Sequence, residues 1–264
     1  MTPASGDGFQ GIQSVSRALT ILELFSDKRP SLSVGQVAEI TGLNRATCYR
    51  FCQTLRKLGY LEELGDRRFR PGLKAVSLAH SALSSRELPE LAQPYLQRLR
   101  EDINETVNMG LLDDTEVVYV ARVLSDHLIS LRLYVGSRLP AYASSLGRSI
   151  LAFLPEDQAA AIIDRSELKA ITTHTIIDRK RLLAELELIR ERGYALNDQE
   201  IAHGLRGVAA PVLTEAGAPL AAINISIPHP LKGPAEIEDE LAPKVMATAR
   251  EIGLLAGKLA IERA

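Results

Sequence analysis

The first part of the chain carries apolar residues at helical spacing. Between residues 12 and 25 they lie three or four positions apart, and a polar stretch follows at 26–30. This pattern predicts an amphipathic helix that ends before residue 26. The residues predicted to lie on its buried face are Ile12, Val15, Leu19, Leu22 and Phe25.

Two further helices are predicted, joined by a short turn. Ser33 and Gln36 have the spacing of a capping box, which marks a helix start. Gly42 ends that helix because glycine tolerates the left-handed conformation, and Asn44 is a favourable N-cap for the next helix. The predicted buried stripe of this third helix is Cys48, Phe51, Leu55 and Leu58.

The exposed side of the third predicted helix is basic and polar, and residues 44–57 contain no Asp or Glu. Arginine and lysine neutralise phosphates, arginine and glutamine bond base edges, and threonine or tyrosine can bond a phosphate. Two short helices joined by a tight turn are typical of a helix-turn-helix. The residues of this face are Arg45, Thr47, Tyr49, Arg50, Gln53, Arg56 and Lys57, of which the first four are predicted to contact DNA.

A β-hairpin is predicted directly after these helices. Residues 60–70 have the pattern of two strands joined by a turn, and Pro71-Gly72 ends the second strand. This second strand is basic. We interpret the hairpin as a wing that places Arg67, Arg68 and Arg70 on DNA phosphates. A helical bundle with a solvated basic face is the alternative interpretation.

The remainder of the chain predicts strands and helices in separate groups. A helix at 73–83 leads to a joint at 84–86. The next helix is expected at about 87–102, with later helices at 146–153, 155–163, 178–192 and 237–259 and strands at 106–112, 116–123, 128–134, 207–213 and 219–227. This grouping favours an α+β fold, within the broad α/β class, with a mainly antiparallel sheet. The predicted domains are residues 1–72, a linker helix at 73–85, and residues 86–264.

Composition narrows the class of protein. Apolar residues make up 46% of the chain and charged residues 24%, as in soluble globular proteins. No apolar run has the length of a membrane span and no secretory signal is visible, so we expect a cytoplasmic protein. Cys48 and Cys52 are expected to be reduced core side chains rather than a disulfide framework.

Charge is distributed unevenly along the chain. Residues 1–84 contain 11 Lys and Arg against 7 Asp and Glu, whereas residues 85–264 contain 20 against 26. A small basic part joined to a larger acidic part is expected where only the first part binds nucleic acid. A random fluctuation of surface charge is the alternative.

Motifs of enzymes and cofactor sites are not evident. Residues 6–11 match a dinucleotide-binding fingerprint, but no strand precedes them, so we take the match as accidental. The sequence has no Walker loop, no G-x-S-x-G elbow and no HExxH, and its five histidines lack metal-ligand spacing. We therefore expect no cofactor, no metal site and no enzymatic activity. An enzyme acting on a small carboxylic acid, with the basic domain as an appendage, and a purely structural oligomerisation module are the alternatives.

Several segments resemble the IclR family of bacterial transcriptional regulators. They are residues 13–25 (QSVSRALTILELF), 32–62 (LSVGQVAEITGLNRATCYRFCQTLRKLGYLE), 145–152 (SLGRSILA), 193–212 (GYALNDQEIAHGLRGVAAPV) and 221–226 (AAINIS). Residues 140–148 (PAYASSLGR) and 197–212 are most similar to the branch that regulates the breakdown of aromatic acids, protocatechuate and 4-hydroxybenzoate. The resemblance implies a winged helix-turn-helix, a linker helix and a C-terminal GAF-like effector-binding domain. It also implies homodimers, often paired into tetramers.

The segment SSLGRS at 144–149 enters a predicted helix, whose backbone N–H groups attract a carboxylate. Arg148 in the first turn is placed to add a charge-assisted bond to that carboxylate. In the alternative interpretation, Ser145 caps the helix and Arg148 faces solvent. The effector contacts that the resemblance implies are Ser145, Leu146, Gly147, Asn197, Leu205, Asn224 and Ser226.

The chain differs at three positions from similar family members that sense two- or three-carbon keto acids. Those proteins have Asp, Cys and Ser at the positions of Asn197, Gly207 and Asn224, respectively. The absence of a side chain at Gly207 enlarges the pocket, and Asn197 removes a negative charge that repels an anion. We therefore expect an aromatic or similarly bulky carboxylate, such as a hydroxybenzoate, with roughly micromolar affinity, about −8 kcal/mol.

The sequence thus predicts a ligand-responsive, DNA-binding regulator of catabolic genes that senses a small organic acid. Its partners are double-stranded operator DNA, the acid, and further copies of the chain in a homodimer or a dimer of dimers. A single winged domain covers too little DNA for tight specific binding, and dimerisation is expected through the helices at 15–25 and 73–83. The sequence leaves open whether the protein activates or represses.

Overall fold

A computed structural model describes residues 11–126, 133–229 and 231–262 of the chain. Contacts within the chain divide it into two compact units after Ser85. In the described residues, no helix combines the length and the apolar character needed to cross a membrane.

The first unit is a helical domain with a small antiparallel sheet in the strand order β1-β3-β2. Its elements in chain order are α1 (Gln13–Glu23), β1 (Leu32–Ser33), α2 (Val34–Thr41), α3 (Arg45–Lys57), β2 (Leu61–Leu64), β3 (Arg68–Pro71) and α4 (Lys74–Ser84). The predicted helix-turn-helix and wing are confirmed as α2, α3 and the β2–β3 hairpin. The two-residue strand β1 was not predicted, because a strand this short has no measurable alternation.

Side-chain caps place the ends of α2 and α3. The Ser33 hydroxyl accepts a hydrogen bond from the Gln36 N–H at 3.3 Å, and the Gln36 side chain accepts one from the Ser33 N–H at 3.0 Å. Gly42 has a φ of 68°, in the left-handed region, and the Asn44 side chain accepts from the Thr47 N–H at 2.8 Å. The predicted capping box, glycine stop and N-cap are therefore confirmed.

The buried face of α1 differs from the prediction. Of the predicted residues, Leu22 and Phe25 are partly buried and pack against the core, whereas Ile12, Val15 and Leu19 are exposed by 71%, 52% and 53%. Ile21 and Leu24, which were not predicted, are buried. Apolar residues lie on two faces of α1, and the domain core uses the face that carries Ile21. The other face is left exposed within the chain.

The core stripe of α3 also needs one correction. Cys48, Cys52 and Leu55 are buried as core residues, but Leu58, predicted to be buried, is 52% exposed because it follows the last turn of the helix. Burial raises the pKa of the Cys52 thiol to about 11, so this thiol stays protonated near neutral pH. Both cysteines are free, as expected of core filler.

The second unit is built on a six-stranded antiparallel sheet in the order β6-β5-β4-β9-β8-β7. Its strands are β4 (Thr106–Asp113), β5 (Glu116–Val123), β6 (Arg138–Pro140), β7 (Ala195–Asp198), β8 (Leu205–Leu213) and β9 (Pro219–Pro228). Its helices are α5 (Leu88–Ile103), α6 (Ser145–Leu151), α7 (Glu156–Arg165), α8 (Arg179–Arg192), α9 (Pro234–Glu236) and α10 (Ala242–Glu262). The antiparallel α+β prediction is confirmed.

The sequence missed the two edge strands β6 and β7, which have three and four residues. The strand predicted at 128–134 lies largely outside the described residues, and its last two positions are not in a strand. The closing helix predicted at 237–259 begins with a π-helical turn at Ile237–Leu241 and continues as α10. Its apolar residues at helical spacing, Ile237, Leu241, Val245, Ala249 and Ile252, are buried.

The two faces of this sheet carry different helices, because side chains alternate along each strand. Asn108 lies opposite Asn224 on the neighbouring strand, and the Asn224 amide reaches Ser145 of α6. The adjacent pair, Val107 and Ile225, lies on the other face, which α5 and α10 cover. The apolar core on the α6 side also includes α7 and α8.

Candidate functional site

The exposed face of α3 presents basic side chains that are not engaged within the chain. Arg45 and Arg50 are exposed, Tyr49 is half-exposed, and Thr47 is partly buried. The side chains of Arg45 and Arg50 form no hydrogen bond or ion pair with any residue that the structure describes. They are therefore available to an anionic partner.

The last turns of α3 are tied to the wing instead. The Gln53 amide donates to the Glu63 carboxylate at 3.0 Å, and the Arg56 guanidinium lies 3.5 Å from the same carboxylate. Arg56 also donates to Gln53 at 2.8 Å. This end of the helix is consequently less basic than its composition indicates.

The three wing arginines occupy different environments. Arg67 is exposed at the hairpin tip, where its φ is 55°. Arg68 donates to the Ser31 carbonyl at 2.7 Å and to the Ser31 hydroxyl at 3.0 Å, and Arg70 pairs with Glu62 at 2.8 Å. Arg68 therefore fastens β3 to the residue before β1, and only Arg67 is unengaged among the described contacts.

The second unit contains a cavity between α6 and the sheet. Of the predicted effector contacts, it brings together Ser145, Asn197, Leu205, Asn224 and Ser226. Gly207, which the sequence predicted to enlarge the pocket, also lines the cavity. The lining residues that the sequence did not predict are Tyr119, Leu133, Leu139, Ser144, Ile201 and Arg206.

Buried amides and hydroxyls form a connected group at the floor of this cavity. The Asn108 amide donates to the Asn224 side chain at 2.8 Å and to the Ser226 hydroxyl at 3.1 Å. Asn224 reaches the Ser145 hydroxyl at 3.4 Å. Asn108 was missed because the pattern locates its strand but does not show that β4 lies beside β9.

The start of α6 corrects the predicted helix-terminus contacts. Ser144, not Ser145, is the N-cap, and its hydroxyl accepts from the Gly147 N–H at 3.0 Å. Leu146 is fully buried in the core. A side chain on Gly147 would lie 2.3 Å from the Ala141 carbonyl oxygen, so this glycine serves close packing. Leu146 and Gly147 do not line the cavity.

Arg148 faces neither the cavity nor solvent, which corrects both interpretations of this residue. Its side chain is 1% exposed and pairs with the Glu200 carboxylate. It also donates to the Leu196 carbonyl at 2.9 Å. Burial raises the pKa of the Glu200 carboxyl, an effect that the neighbouring guanidinium opposes.

This ion pair is linked to the cavity wall. The Glu200 N–H donates to the Asn197 side chain at 3.2 Å, and the Asn197 amide donates to the Ala143 carbonyl at 2.6 Å. Asn197 thus lines the cavity while joining β7 to the segment before α6. Its role in this structure is to hold the wall in place.

The cavity is narrow and mostly neutral. Its volume is about 20 Å³, close to that of a single water site. Arg206 in its lining pairs with Asp198 at 2.7 Å. Burial raises the pKa of Tyr119 to about 12, so the phenol stays protonated and can donate a hydrogen bond. An organic ligand requires the walls to separate.

A larger groove of about 570 Å³ lies on the other face of the sheet, between β8 and α10. It is lined mainly by apolar residues, and Arg250 and Leu254 at this groove are exposed. The smaller cavity has the converging buried polar groups that fix the orientation of a ligand. We therefore take the smaller cavity as the candidate ligand site.

Comparison with known proteins agrees with both halves of the fold. Residues 14–65 match the IclR helix-turn-helix domain, and residues 80–254 match the C-terminal domain of bacterial IclR transcriptional regulators. The chain is 35% identical to the Pca regulon regulatory protein of Pseudomonas putida, over 90% of this chain and 82% of that protein.

Two solved structures are also similar. One, described as a transcriptional regulator from Rhodococcus sp. RHA1, is 36% identical with a TM-score of 0.80, over 92% of this chain and 98% of that one. The other is a double mutant of the inducer-binding domain of PobR from Acinetobacter, in complex with 3-hydroxybenzoic acid. It is 32% identical with a TM-score of 0.59, over 62% of this chain and 97% of that one.

A winged helix-turn-helix joined to a domain with a buried polar cavity defines a DNA-binding regulator that responds to a small molecule. The chain belongs to the IclR family of transcriptional regulators. The relatives named above are described as regulators or transcription factors.

Proposed function

We propose that the α6 cavity binds an aromatic carboxylic acid and that binding changes the operator complex. The observation that carries this proposal is the hydrogen-bonded set of Asn224, Ser226 and Ser145, joined to Asn108 behind them, in a cavity that also has apolar walls. Such a site has donors for polar groups of the ligand and apolar walls for a ring. The 3-hydroxybenzoic acid bound to the related PobR domain supports the same ligand class.

Gly207 favours a bulky acid over a small one. An ideal Cβ at this position would lie 3.4 Å from the Ser145 hydroxyl and 3.6 Å from the Asn224 amide nitrogen. Any side chain here would therefore occupy the space beside the polar floor. Glycine leaves that space to the ligand.

Calorimetry tests the ligand class on the full chain. We expect 4-hydroxybenzoate, 3-hydroxybenzoate or protocatechuate to bind with roughly micromolar dissociation constants, near −8 kcal/mol, and pyruvate and glyoxylate to bind more weakly. Gly207→Cys and Asn224→Ala should each weaken binding of the aromatic acid. Leu188→Ala, an exposed position on α8, serves as the control. Tighter binding of pyruvate than of every benzoate would overturn the proposal.

The operator contacts that we propose are Arg45, Thr47, Tyr49 and Arg50 of α3, with Arg67 on a phosphate. The support is the unengaged basic face of α3 beside the exposed wing tip. Arg70 contributes to a phosphate contact only if it leaves Glu62, and Arg68 acts through its bonds to Ser31. The two wing arginines Arg68 and Arg70 are thus secondary to Arg67 in this proposal.

We further propose that the chain functions as a homodimer. The exposed apolar face of α1 and the exposed residues Leu73, Val76 and Leu78 around α4 support this. Neighbouring exposed apolar side chains mark protein interaction surfaces. A twofold dimer presents two copies of α3 to two half-sites of an operator.

A further inference from the structure

Arg122, an arginine outside the cavity lining, is partly buried and has two buried nitrogen atoms without a partner among the described residues. Arg122 of β5 has its Nε and Nη1 atoms buried, and neither forms a hydrogen bond within the part of the chain that the structure describes. Burial lowers the pKa of this guanidinium, but an arginine side chain stays charged in proteins. Buried N–H donors without an acceptor are costly, and on a charged group they point to a function.

The strand geometry turns Arg122 toward the polar floor of the cavity. Arg122 lies opposite Asn108 in the β4–β5 ladder, and opposite residues have Cβ atoms about 5 Å apart on the same face. Asn108 is the residue whose amide bonds both Asn224 and Ser226. The arginine is therefore a direct neighbour of that hydrogen-bonded group.

A β-bulge brings Tyr119 and Arg122 to the same face. In a regular strand, residues three apart point to opposite faces. Here Gly110 pairs with Tyr119 while Met109 pairs with Ala121, so Val120 is the extra residue. The bulge restores the alternation and places Arg122 on the side where Tyr119 lines the cavity.

Two other arginines that the structure describes near this cavity are already neutralised. Arg148 is paired with Glu200, and Arg206 is paired with Asp198. Asn108, opposite Arg122, has a buried side-chain oxygen that also lacks a partner among the described residues. Within that part of the chain, the β5 edge of the polar floor has a positive charge that no carboxylate pairs with.

We propose that Arg122 binds the carboxylate of the effector, at the β5 side of the cavity. This inference rests on the proposed function of the cavity as an acid-binding site. A carboxylate accepts two parallel hydrogen bonds from a guanidinium, which satisfies the buried nitrogen atoms. The effector's apolar part then lies toward Leu133, Leu139 and Leu205.

The test compares an acid with its neutral analogue. Calorimetry of the full chain uses 4-hydroxybenzoate and 4-hydroxybenzamide, which differ in charge and little in shape. Arg122→Gln should weaken binding of the acid by about 10- to 100-fold and change binding of the amide by less than about threefold. Arg122→Lys should recover part of the loss. Arg165→Gln, which removes an exposed arginine of α7, should bind both ligands as the unmodified chain does.

Thermal unfolding of the ligand-free chain provides a second measurement, which does not depend on ligand affinity. Removing an unpaired buried charge should raise the Tm of the ligand-free Arg122→Gln chain by about 2–4 °C. The same variant should lose most of the Tm increase that 4-hydroxybenzoate gives to the unmodified chain. A lower Tm without ligand would overturn the inference, because it would show that the guanidinium has a stabilising partner.

The outcomes separate this inference from the proposal on which it rests. If the unmodified chain binds 4-hydroxybenzoate and Arg122→Gln binds it equally well, Arg122 is not the anchor and the cavity proposal stands. An equal loss for acid and amide would show a change of shape, which also overturns the role of the charge. If the unmodified chain binds neither ligand, the proposed ligand class is wrong, and the inference with it.

Discussion

Arg148 shows that a sequence pattern can place a residue in a helix without identifying the partner of its side chain. The sequence places it correctly in the first turns of a helix, but its partner Glu200 lies 52 residues further along the chain. Local periodicity contains no information on such a contact, so the arginine was predicted to face a ligand or solvent. The predictions for Asn224 and Ser226 came from family resemblance, and both side chains do lie in the cavity.

Breaking the Arg148–Glu200 pair should destabilise the second unit strongly. Glu200→Gln leaves a guanidinium that is 1% exposed without its counter-charge, which costs about 3–5 kcal/mol. Urea unfolding followed by circular dichroism measures this loss. The double variant Arg148→Met with Glu200→Leu should recover much of it, because it removes both charges together.

The matched control is the exposed pair of Arg165 and Asp114, whose side chains are 56% and 71% exposed. Asp114→Asn should change the free energy of unfolding by at most about 1 kcal/mol, since water screens the pair. A similar loss of unfolding free energy in Glu200→Gln and Asp114→Asn would contradict the prediction that burial makes the Arg148–Glu200 pair more important for stability.

Among the secondary-structure elements, the sequence predicted the long strands and missed three short ones. The long strands β4, β5, β8 and β9 were found, since each is a run of eight to ten residues rich in apolar side chains and the two pairs are each separated by a turn. The two to four residues of β1, β6 and β7 are too short to show such a pattern, and contacts with residues distant in the sequence hold them in place. The buried face of α1 was predicted correctly only at Leu22 and Phe25, because apolar residues lie on two sides of the helix.

The recognition role of α3 predicts different effects for its two ends. Arg50→Ala should weaken operator binding by about 1–3 kcal/mol and relax the sequence preference if this side chain reads a base. Arg56→Ala, whose guanidinium lies 3.5 Å from Glu63, should have a smaller effect. Arg67→Ala should lower the salt dependence of binding by about one unit of slope. Gel-shift titrations at several salt concentrations measure all three.

An operator affinity that is unchanged in the combined Arg45→Ala and Arg50→Ala variant would show that α3 does not contact the operator. Arg68→Ala is expected to affect stability rather than DNA contact, because the Arg68 guanidinium forms hydrogen bonds with Ser31. Its main expected effect is a less stable first unit, which unfolding experiments detect without DNA.

For the whole molecule, the exposed apolar surface of the first unit is the feature that the chain alone does not explain. Leu19 of α1 and Val76 of α4 are 53% and 64% exposed, although the domain core is complete without them. A second copy of the chain would remove such side chains from water, a gain of about 25 cal/mol for each Å² of apolar surface buried. Sensing and DNA binding would then be combined in an assembly with two operator-binding helices.

Charged substitutions on this surface should therefore produce monomers that still fold. Leu19→Glu combined with Val76→Glu should lower the sedimentation coefficient at micromolar concentration from that of a dimer to that of a monomer. The variant should keep its effector affinity, because the cavity lies within the second unit, but lose tight operator binding, because one winged domain covers too few bases. Leu188→Glu changes an equally exposed leucine on α8 and serves as the control. If the double variant remains dimeric, the dimer interface lies elsewhere. If the unmodified chain is monomeric and binds a single half-site at full strength, operator binding does not need a dimer.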